Sequence, residues 1–586
     1  MTDIDVPVLI VGGGGAGLTA SMLLSTLGVE SLLVSAWPGT SILPKAHLLN
    51  QRTMETLREL GLDGTIYAAG CPPRHMTHSG WYAGFAGDHP DAGRRIAELE
   101  SWGAAGSTPE WAAASPQRPA NLPQIRLEPH LRRRAGELAG PDRVRFHHEL
   151  MEFTQDADGV SATVLDKDSG EEYRVRARYL LGCDGGRTVG RILGIRAEGM
   201  RDVARMVSLH ITADLSAWAK DPHVLIRWLW LPETGVMGTL VPMGPERWGP
   251  ESEEWVFHLN YGADDARALD DESVVADMRA ALGIGDHPVR IHIISRWSLE
   301  GIVAERFRDG RVFLLGDAAH RHPPTGGLGL NSAVQDAHNL AWKLAAVITG
   351  QAGEALLDTY ETERRPVTST NVQRALDNAL NHLATNNLIS GSDSGSGWDH
   401  IGRLWSGEPR DAEFARAVRR AIAGQSMEFN EQNIEYGFTY DSAAVVPDGS
   451  PAPDNPDPIR IHHPTARPGH PLPHAWLEDW HGTRLPVMDL VGPGRWLLVA
   501  GEDGQAWIDA ATQAAAALGA PLDAVRIGHL DGDYRDPRST WTRLRGHGAD
   551  GAVLIRPDRV VAWRSPGTAD DPYAALKPAL HHLLAR

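Results

Sequence analysis

The sequence predicts an α/β protein in which a parallel-sheet nucleotide-binding domain is interrupted by an antiparallel sheet and followed by a separate C-terminal unit. Three observations carry that reading. Val6 to Val11 has a strand pattern, runs into Gly12-Gly13-Gly14-Gly15-Ala16-Gly17, and is followed by a helical Leu18 to Leu27 and a strand-like Ser31 to Val34. An apolar strand pattern from Val312 to Leu315 runs into Gly316-Asp317, then into a loop holding Pro323, Pro324, Gly326, Gly327 and Gly329, ahead of a long amphipathic stretch from Ser332 to Ile348. Between these two, Met206 to Trp297 holds short strand-like runs separated by turn signals, the pattern of an antiparallel sheet.

The first segment fits G-x-G-x-x-G. With strand, fingerprint, helix and second strand in order, it marks a dinucleotide pyrophosphate site of the Rossmann kind. Gly12, Gly14 and Gly17 bring the pyrophosphate onto the helix N-terminus. Residues 6–28 are apolar, but the glycine cluster interrupts them and no basic flank precedes them. A buried strand and helix account for the run better than a signal peptide or membrane span. Tyr179 to Cys183 is another strand pattern, ending in Asp184-Gly185-Gly186 and a turn with Arg187, Thr188 and Arg191. In the Gly-Asp segment the prolines stiffen the loop and the glycines admit a ligand to the backbone. The helix start offers unpaired N–H groups, and the Asp317 carboxylate can accept from ligand hydroxyls. That is equipment for a large polyol-bearing cofactor. Elements near residues 12, 184 and 317 must meet around one ligand, so the domain is discontinuous.

Within the intervening sheet, strands are expected at Val207–Thr212, Val224–Trp230, Gly238–Met243, Trp255–Tyr261 and Val289–Ile294, with a helix over Asp271–Leu282. This sheet reads as a substrate domain roofing the cofactor, with the Gly/Trp-rich loop Thr77–Gly106 packed on it. Beyond residue 370, helical stretches give way to a Ser/Gly-rich patch at Ser390–Gly397 and a Pro/Asp-rich connector at Val446–Pro473. The last hundred residues read as strand Trp496–Ala500, helix Gln505–Leu518, strand Ala524–His529, a hairpin of Gly551–Ile555 and Arg559–Trp563, and helix Pro572–Leu584.

Bulk properties set bounds. A chain of 586 residues is too long for one core and implies two or three domains. A net charge of −19 argues against nucleic acid or an anionic membrane as partner, while leaving room for a small basic site for a cofactor phosphate. Cys71 and Cys183 are the only cysteines and form no C-x-x-C, which points away from a disulfide scaffold or zinc module and toward the cytoplasm. Nineteen tryptophans against nine phenylalanines supply an aromatic pocket as well as core. His320-Arg321-His322 is not read as a metal site, because no carboxylate or third histidine stands at ligand spacing.

With the three motifs in this order, the chain resembles the group A FAD-dependent aromatic hydroxylases of the para-hydroxybenzoate hydroxylase fold. His47-Leu48-Leu49-Asn50-Gln51-Arg52-Thr53-Met54-Glu55, the run Arg321 to Asn331, and Arg467-Pro468-Gly469 with Leu472-Pro473-His474-Ala475-Trp476 are similar to the phenol and chlorophenol hydroxylase subgroup. The resemblance implies FAD held by Gly12, Gly14, Gly15, Ala16 and Gly17, with Asp317 at the ribityl chain. Pro324, Gly327, Gly329, Leu330 and Asn331 would cup the isoalloxazine, although Asn331 reads equally as a helix cap. Ser35 stands where the family has an acid for the adenosine ribose, and Lys45 where it has a phosphate-contacting arginine, keeping the charge and losing the fork. Arg52 and Gln124 match positions that touch the flavin or its phosphates, and Arg52 reads also as an exposed helix charge. Asp184 belongs to the cofactor-binding set as a structural member of its loop.

The implied organisation is a FAD-binding domain in three parts (residues 1–76, 107–200 and 298–370), a substrate-domain loop at 77–106, a substrate domain at 201–297, a helical region and connector at 371–480, and a thioredoxin-like domain at 485–586. The last has no cysteine, so its expected role is structural or dimer-forming, in a homodimer. The implied reaction reduces FAD with NAD(P)H, adds O2 to give a flavin C4a-hydroperoxide, and transfers one oxygen ortho to a ring hydroxyl. A single dinucleotide fingerprint fits a nicotinamide cofactor that only visits a groove. Phenols ionise near pH ~10, so a pocket residue should favour phenolate. His47 is the candidate, against its reading as a loop histidine bonded to backbone. Trp228, Trp230, Met237, Met243 and His258 are candidates to line the roof, limited by strand alternation. Two alternatives stay open: a tailoring hydroxylase or Baeyer–Villiger enzyme acting on a polycyclic aromatic metabolite, and a flavin dehydrogenase or reductase without oxygen transfer.

Overall fold

The computed structural model describes residues 3–232, 236–262, 269–390 and 397–586; residues 391–396 of the Ser/Gly-rich patch lie outside them. The three motif-bearing strands are neighbours in one sheet. Asp3–Val11 pairs in parallel with Ser31–Ser35 on one side and Glu172–Gly182 on the other, and Glu172–Gly182 pairs in parallel with Val312–Leu314. Val11 lies opposite Gly182, and Gly182 opposite Leu314. The strands therefore end level, and Gly12, Cys183 and Leu315 leave the sheet along one edge. Val8, Leu9, Ile10, Leu32 and Leu33 are fully buried, as expected of parallel strands covered on both faces.

The second sheet has eight strands in the order His320–Arg321, Arg290–Ala304, Ala197–Thr212, Glu254–Gly262, Val236–Gly244, Val224–Leu231, His78–Ala83 and Arg94–Glu100. The stretch read as a loop over 77–106 thus supplies two strands, and His78–Ala83 runs parallel to Val224–Leu231. Its glycines and tryptophans suit a strand whose ends turn sharply, and pairing with a distant strand is invisible to local pattern. Strand Arg290–Ala304 runs through the 297/298 division. The short strand His320–Arg321 pairs with Ile302 and Val303, so the Gly-Asp loop is tied to both sheets.

Alternation gives this second sheet two faces. Leu209, Leu229, Leu240 and Phe257 form one apolar face, packed with Val274 and Met278 of helix Asp271–Leu282. On the other face one row crosses the sheet, with Trp81 opposite Trp228, then Thr239, His258, Ser208 and Ser295. That face meets Leu48 and Ile125 of the first domain and the helical region between residues 388 and 429.

In the last unit, Trp496–Ala500 lies parallel to Leu522–Gly528 and antiparallel to Ala552–Ile555, which pairs with Val561–Ser565. With helices Gln505–Leu518 and Pro572–Leu583, this is thioredoxin-like topology. Strand Trp476–Glu478 joins the same sheet from before residue 485. The unit is not separate in its packing. Trp496, Trp507 and Leu576 share one apolar cluster with Trp342 and Leu356, and Trp342 meets Trp496 edge to face at 5.7 Å. Among the described residues no helix is long and apolar enough to cross a membrane.

Candidate active site

The glycine fingerprint is shaped by contacts that no side chain would permit. A Cβ on Gly12, whose φ is +122°, would stand 2.2 Å from the Cys183 carbonyl oxygen, and one on Gly17 would stand 2.0 Å from that of Gly12. Helix Gly15–Thr26 starts there, and Ala16 abuts Gly316, whose own Cβ would lie 3.2 Å from that of Ala16. Gly15 faces Leu330 across the same gap. Asp317 is exposed with no protein partner among the described residues, so its carboxylate is available to ligand hydroxyls. Ser35 is buried beside Gly13, and Lys45 is exposed at φ 45°. Pro324 is exposed, and the helix that follows its loop starts at Leu328. A helix N-terminus, a bare glycine turn and a free carboxylate fit the pyrophosphate and ribityl chain of FAD.

Other members of the expected set are spent elsewhere. Arg52 is buried, not exposed and not free for a phosphate: it pairs with Glu55 at 2.8 Å and donates to the Asp558 carbonyl at 2.9 Å. The C-terminal hairpin covers it, which no local pattern could reveal. The Asp184 carboxylate accepts the backbone N–H groups of Gly186, Thr188 and Val189 and so shapes its own loop. Gln124 donates to Glu128 at 2.6 Å. Asn331 is not a helix cap, since Gly327 occupies that position. Its amide donates to the Leu48 carbonyl at 3.0 Å and accepts the Asn50 N–H at 3.0 Å, fixing the His47 loop against helix Leu328–Ile348.

His47 stands on that loop and is joined to buried Asn121, whose side-chain nitrogen lies 2.5 Å from Nδ1. Burial pushes its imidazole down to about 4. His258, on the sheet face opposite, is likewise pushed down to about 4 by burial and by its neighbour His47. Its Nδ1 lies 2.7 Å from Ser208 Oγ, which accepts the Trp297 indole N–H at 2.9 Å. Trp228, Trp230, Met237, Met243 and His258 all lie on one face: Trp228 shares the His258 row through Thr239, Trp230 is opposite Met237, and Met243 follows in step. They are not equally placed. Met243 is fully buried in the cluster with Trp248, and Trp230 donates to Ser390. Trp228 stacks on His382 at 3.9 Å.

Several contributing residues had no signal in the sequence. Glu128, beside Gly14, also accepts the Ser41 N–H at 2.7 Å. Glu428 accepts the Gly326 N–H at 3.2 Å and bonds His382 at 2.6 Å, bracing the Pro324–Gly327 loop. The carboxylate that His320 seemed to lack is Asp336, 2.6 Å away and shared with Arg364. His210, Glu254 and His292 are grouped closely enough to hold a metal ion, but Arg126 bonds the same Glu254 oxygen that His210 does.

Comparison with known proteins matches this arrangement. Residues 5–375 match the FAD binding domain family, and residues 465–586 match the aromatic-ring hydroxylase C-terminal family. A 2,4-dichlorophenol 6-monooxygenase of Delftia acidovorans is 36% identical over 591 residues, covering 99% of each chain. A phenol 2-monooxygenase of Pseudomonas sp. (strain EST1001) is 35% identical over 98% of this chain and 92% of its own. Among solved structures, the flavin-dependent monooxygenase PieE, crystallised with FAD and substrate, superposes with a TM-score of 0.90 at 37% identity over the whole of both chains.

Proposed function

The chain belongs to the FAD-dependent aromatic-ring hydroxylases, and from that premise we propose that it hydroxylates a small phenol, ortho to the ring hydroxyl, using NAD(P)H and O2. The observation that carries this reading is the juxtaposition of two histidines, His47 on its loop and His258 on the second sheet. The pair offers two neutral imidazoles to a ring hydroxyl, and Trp228, in the same row of the sheet as His258, stacks on His382.

Bound FAD, reduced by NAD(P)H, supplies the activation of O2. The protein's own residues hold and orient. Gly12 to Gly17 and Asp317 would fix the cofactor's pyrophosphate and ribityl chain, and Pro324 to Leu330 its ring system. The buried aromatic face excludes water, which an oxygen transfer must do to avoid loss to hydrogen peroxide. A cytoplasmic location and a homodimer complete the proposal, with Cys71 and Cys183 both unpaired. The test is NAD(P)H oxidation by purified yellow protein across a panel of phenols, chlorophenols and fused phenolic polycycles, with mass detection of products carrying one added oxygen. Turnover of polycycles alone would move the assignment to a tailoring hydroxylase. NAD(P)H consumption that yields only hydrogen peroxide with every compound would remove oxygen transfer from the reading.

A further inference from the structure

The two histidines His47 and His258 are wired by different neighbours to the same end. Trp297 is a donor only, so Ser208 Oγ must accept from it, at 2.9 Å. The Ser208 hydroxyl proton then has one acceptor among the described residues, Nδ1 of His258 at 2.7 Å. A neutral imidazole that accepts at Nδ1 carries its proton at Nε2. Asn121 does the same for His47, donating an amide N–H to Nδ1. Neither Nε2 has a protein partner among the described residues, and the rings are close enough that His47 bears on the charge of His258.

We infer that His47 and His258 form a phenolate-holding pair, each presenting an Nε2–H donor to the substrate's ring oxygen, and that Trp297 and Ser208 are positioning residues that set the tautomer of His258. This rests on the phenolic reading above and changes its chemistry. Neither imidazole takes the substrate's proton. The O–H bond of the phenol breaks on entry, its proton leaves to solvent, and the electron pair stays on oxygen facing two N–H donors. An imidazole held near 4 is in any case a poor acceptor for a proton from a group that ionises near ~10. Two donors aimed at one developing anion in a closed site stabilise it without reorganisation.

The test uses the FAD-loaded enzyme at pH 7. Calorimetric titration with phenol in buffers of different ionisation enthalpy reads the protons released per ring bound, and the absorbance of bound 4-nitrophenol reads its ionisation. The proposal expects two charge-assisted donors to ease ionisation of the bound ring about 10²–10⁴-fold, so that bound nitrophenol is fully ionised at pH 7 and bound phenol releases a substantial fraction of its proton. His258→Gln keeps an N–H donor and should retain most of that gain. His258→Leu should lose it, and Ser208→Ala should fall between. FAD content and melting temperature verify that each variant is folded, and the proton count needs no variant at all. Retention of the proton on binding, or equal losses in the Gln and Leu variants, overturns the donor pair in favour of a base. If neither phenol nor nitrophenol binds the unsubstituted, FAD-loaded enzyme, the phenolic reading itself falls.

Discussion

Replacing Arg556 with methionine should weaken the whole molecule, although Arg556 lies on the C-terminal hairpin, far in sequence from every cofactor motif. Its guanidinium is fully buried against the first domain, bonding Glu363 at 2.6 and 2.9 Å and Asp558 at 2.9 Å through Nε. Lys343 adds a second cation, 2.7 Å from Glu363. Two cations thus face two carboxylates with essentially no water, and these cations hold Glu363 well below the usual carboxylate range. Methionine fills the volume but leaves two buried carboxylates against one ammonium. Breaking such a pair from one side costs about 3–5 kcal/mol. Unfolding entropy of about 2.1 cal/mol/K per residue over 586 residues is ~1.2 kcal/mol/K, which makes that loss roughly 2–4 °C in melting temperature. Scanning calorimetry of the FAD-loaded protein measures it, with flavin fluorescence reporting release of the cofactor. Adding Asp558→Asn restores the charge balance and should recover part of the loss. A drop below ~1 °C in the single variant, or a double variant no better than the single, would refute the claim that this network clamps the hairpin to the cofactor domain.

Two further outcomes follow from the same geometry. Asp317→Ala should bind FAD about tenfold to a hundredfold more weakly, since charge-assisted bonds to ligand hydroxyls would be lost; equilibrium dialysis showing unchanged affinity would remove Asp317 from the site. Stability should fall as pH drops from 6.5 toward 4. His47, His258, His462, His470, His474 and His547 are each pushed down to about 4 by burial, so the unfolded chain binds their protons first. Glu435, raised to about 8 by burial, works the other way, since its folded-state proton is lost as pH rises. The melting temperature should therefore peak near pH ~7, where the histidine gain no longer exceeds the Glu435 loss, and a curve that is flat between 4.5 and 6.5 would contradict the burial of these histidines.

Much of this protein was legible because its decisive features are local. The G-x-G-x-x-G turn needs glycine at Gly12 and Gly17 because backbone oxygens stand 2.2 and 2.0 Å from where a Cβ would be, and such a need leaves its mark at those very positions. Helix Asp271–Leu282 was bounded by its own signals, the Asp270 cap at one end and left-handed Gly283 at the other. The hairpin around Pro557 and Asp558 was likewise visible, because turn chemistry is written in the turn. That three separated segments must converge on one cofactor also followed from the sequence alone.

What the sequence could not determine depends on which distant groups meet. Arg52 has the spacing of a cofactor contact, yet a loop five hundred positions later covers it. Asn331 reads in sequence as an isoalloxazine contact or a cap, yet the His47 loop claims its amide. The tautomers of His47 and His258 depend on Asn121 and on a Trp297–Ser208 relay across neighbouring strands, a matter of register that period-two alternation leaves open. Pattern determined the fold class and a dinucleotide site, since glycine turns and strand periods act through neighbours in the chain, and the resemblance of the three motifs implied FAD and the family. Tertiary structure alone decided which side chains were left free to do chemistry, because a polar group's role depends on whether folding has already given it a partner.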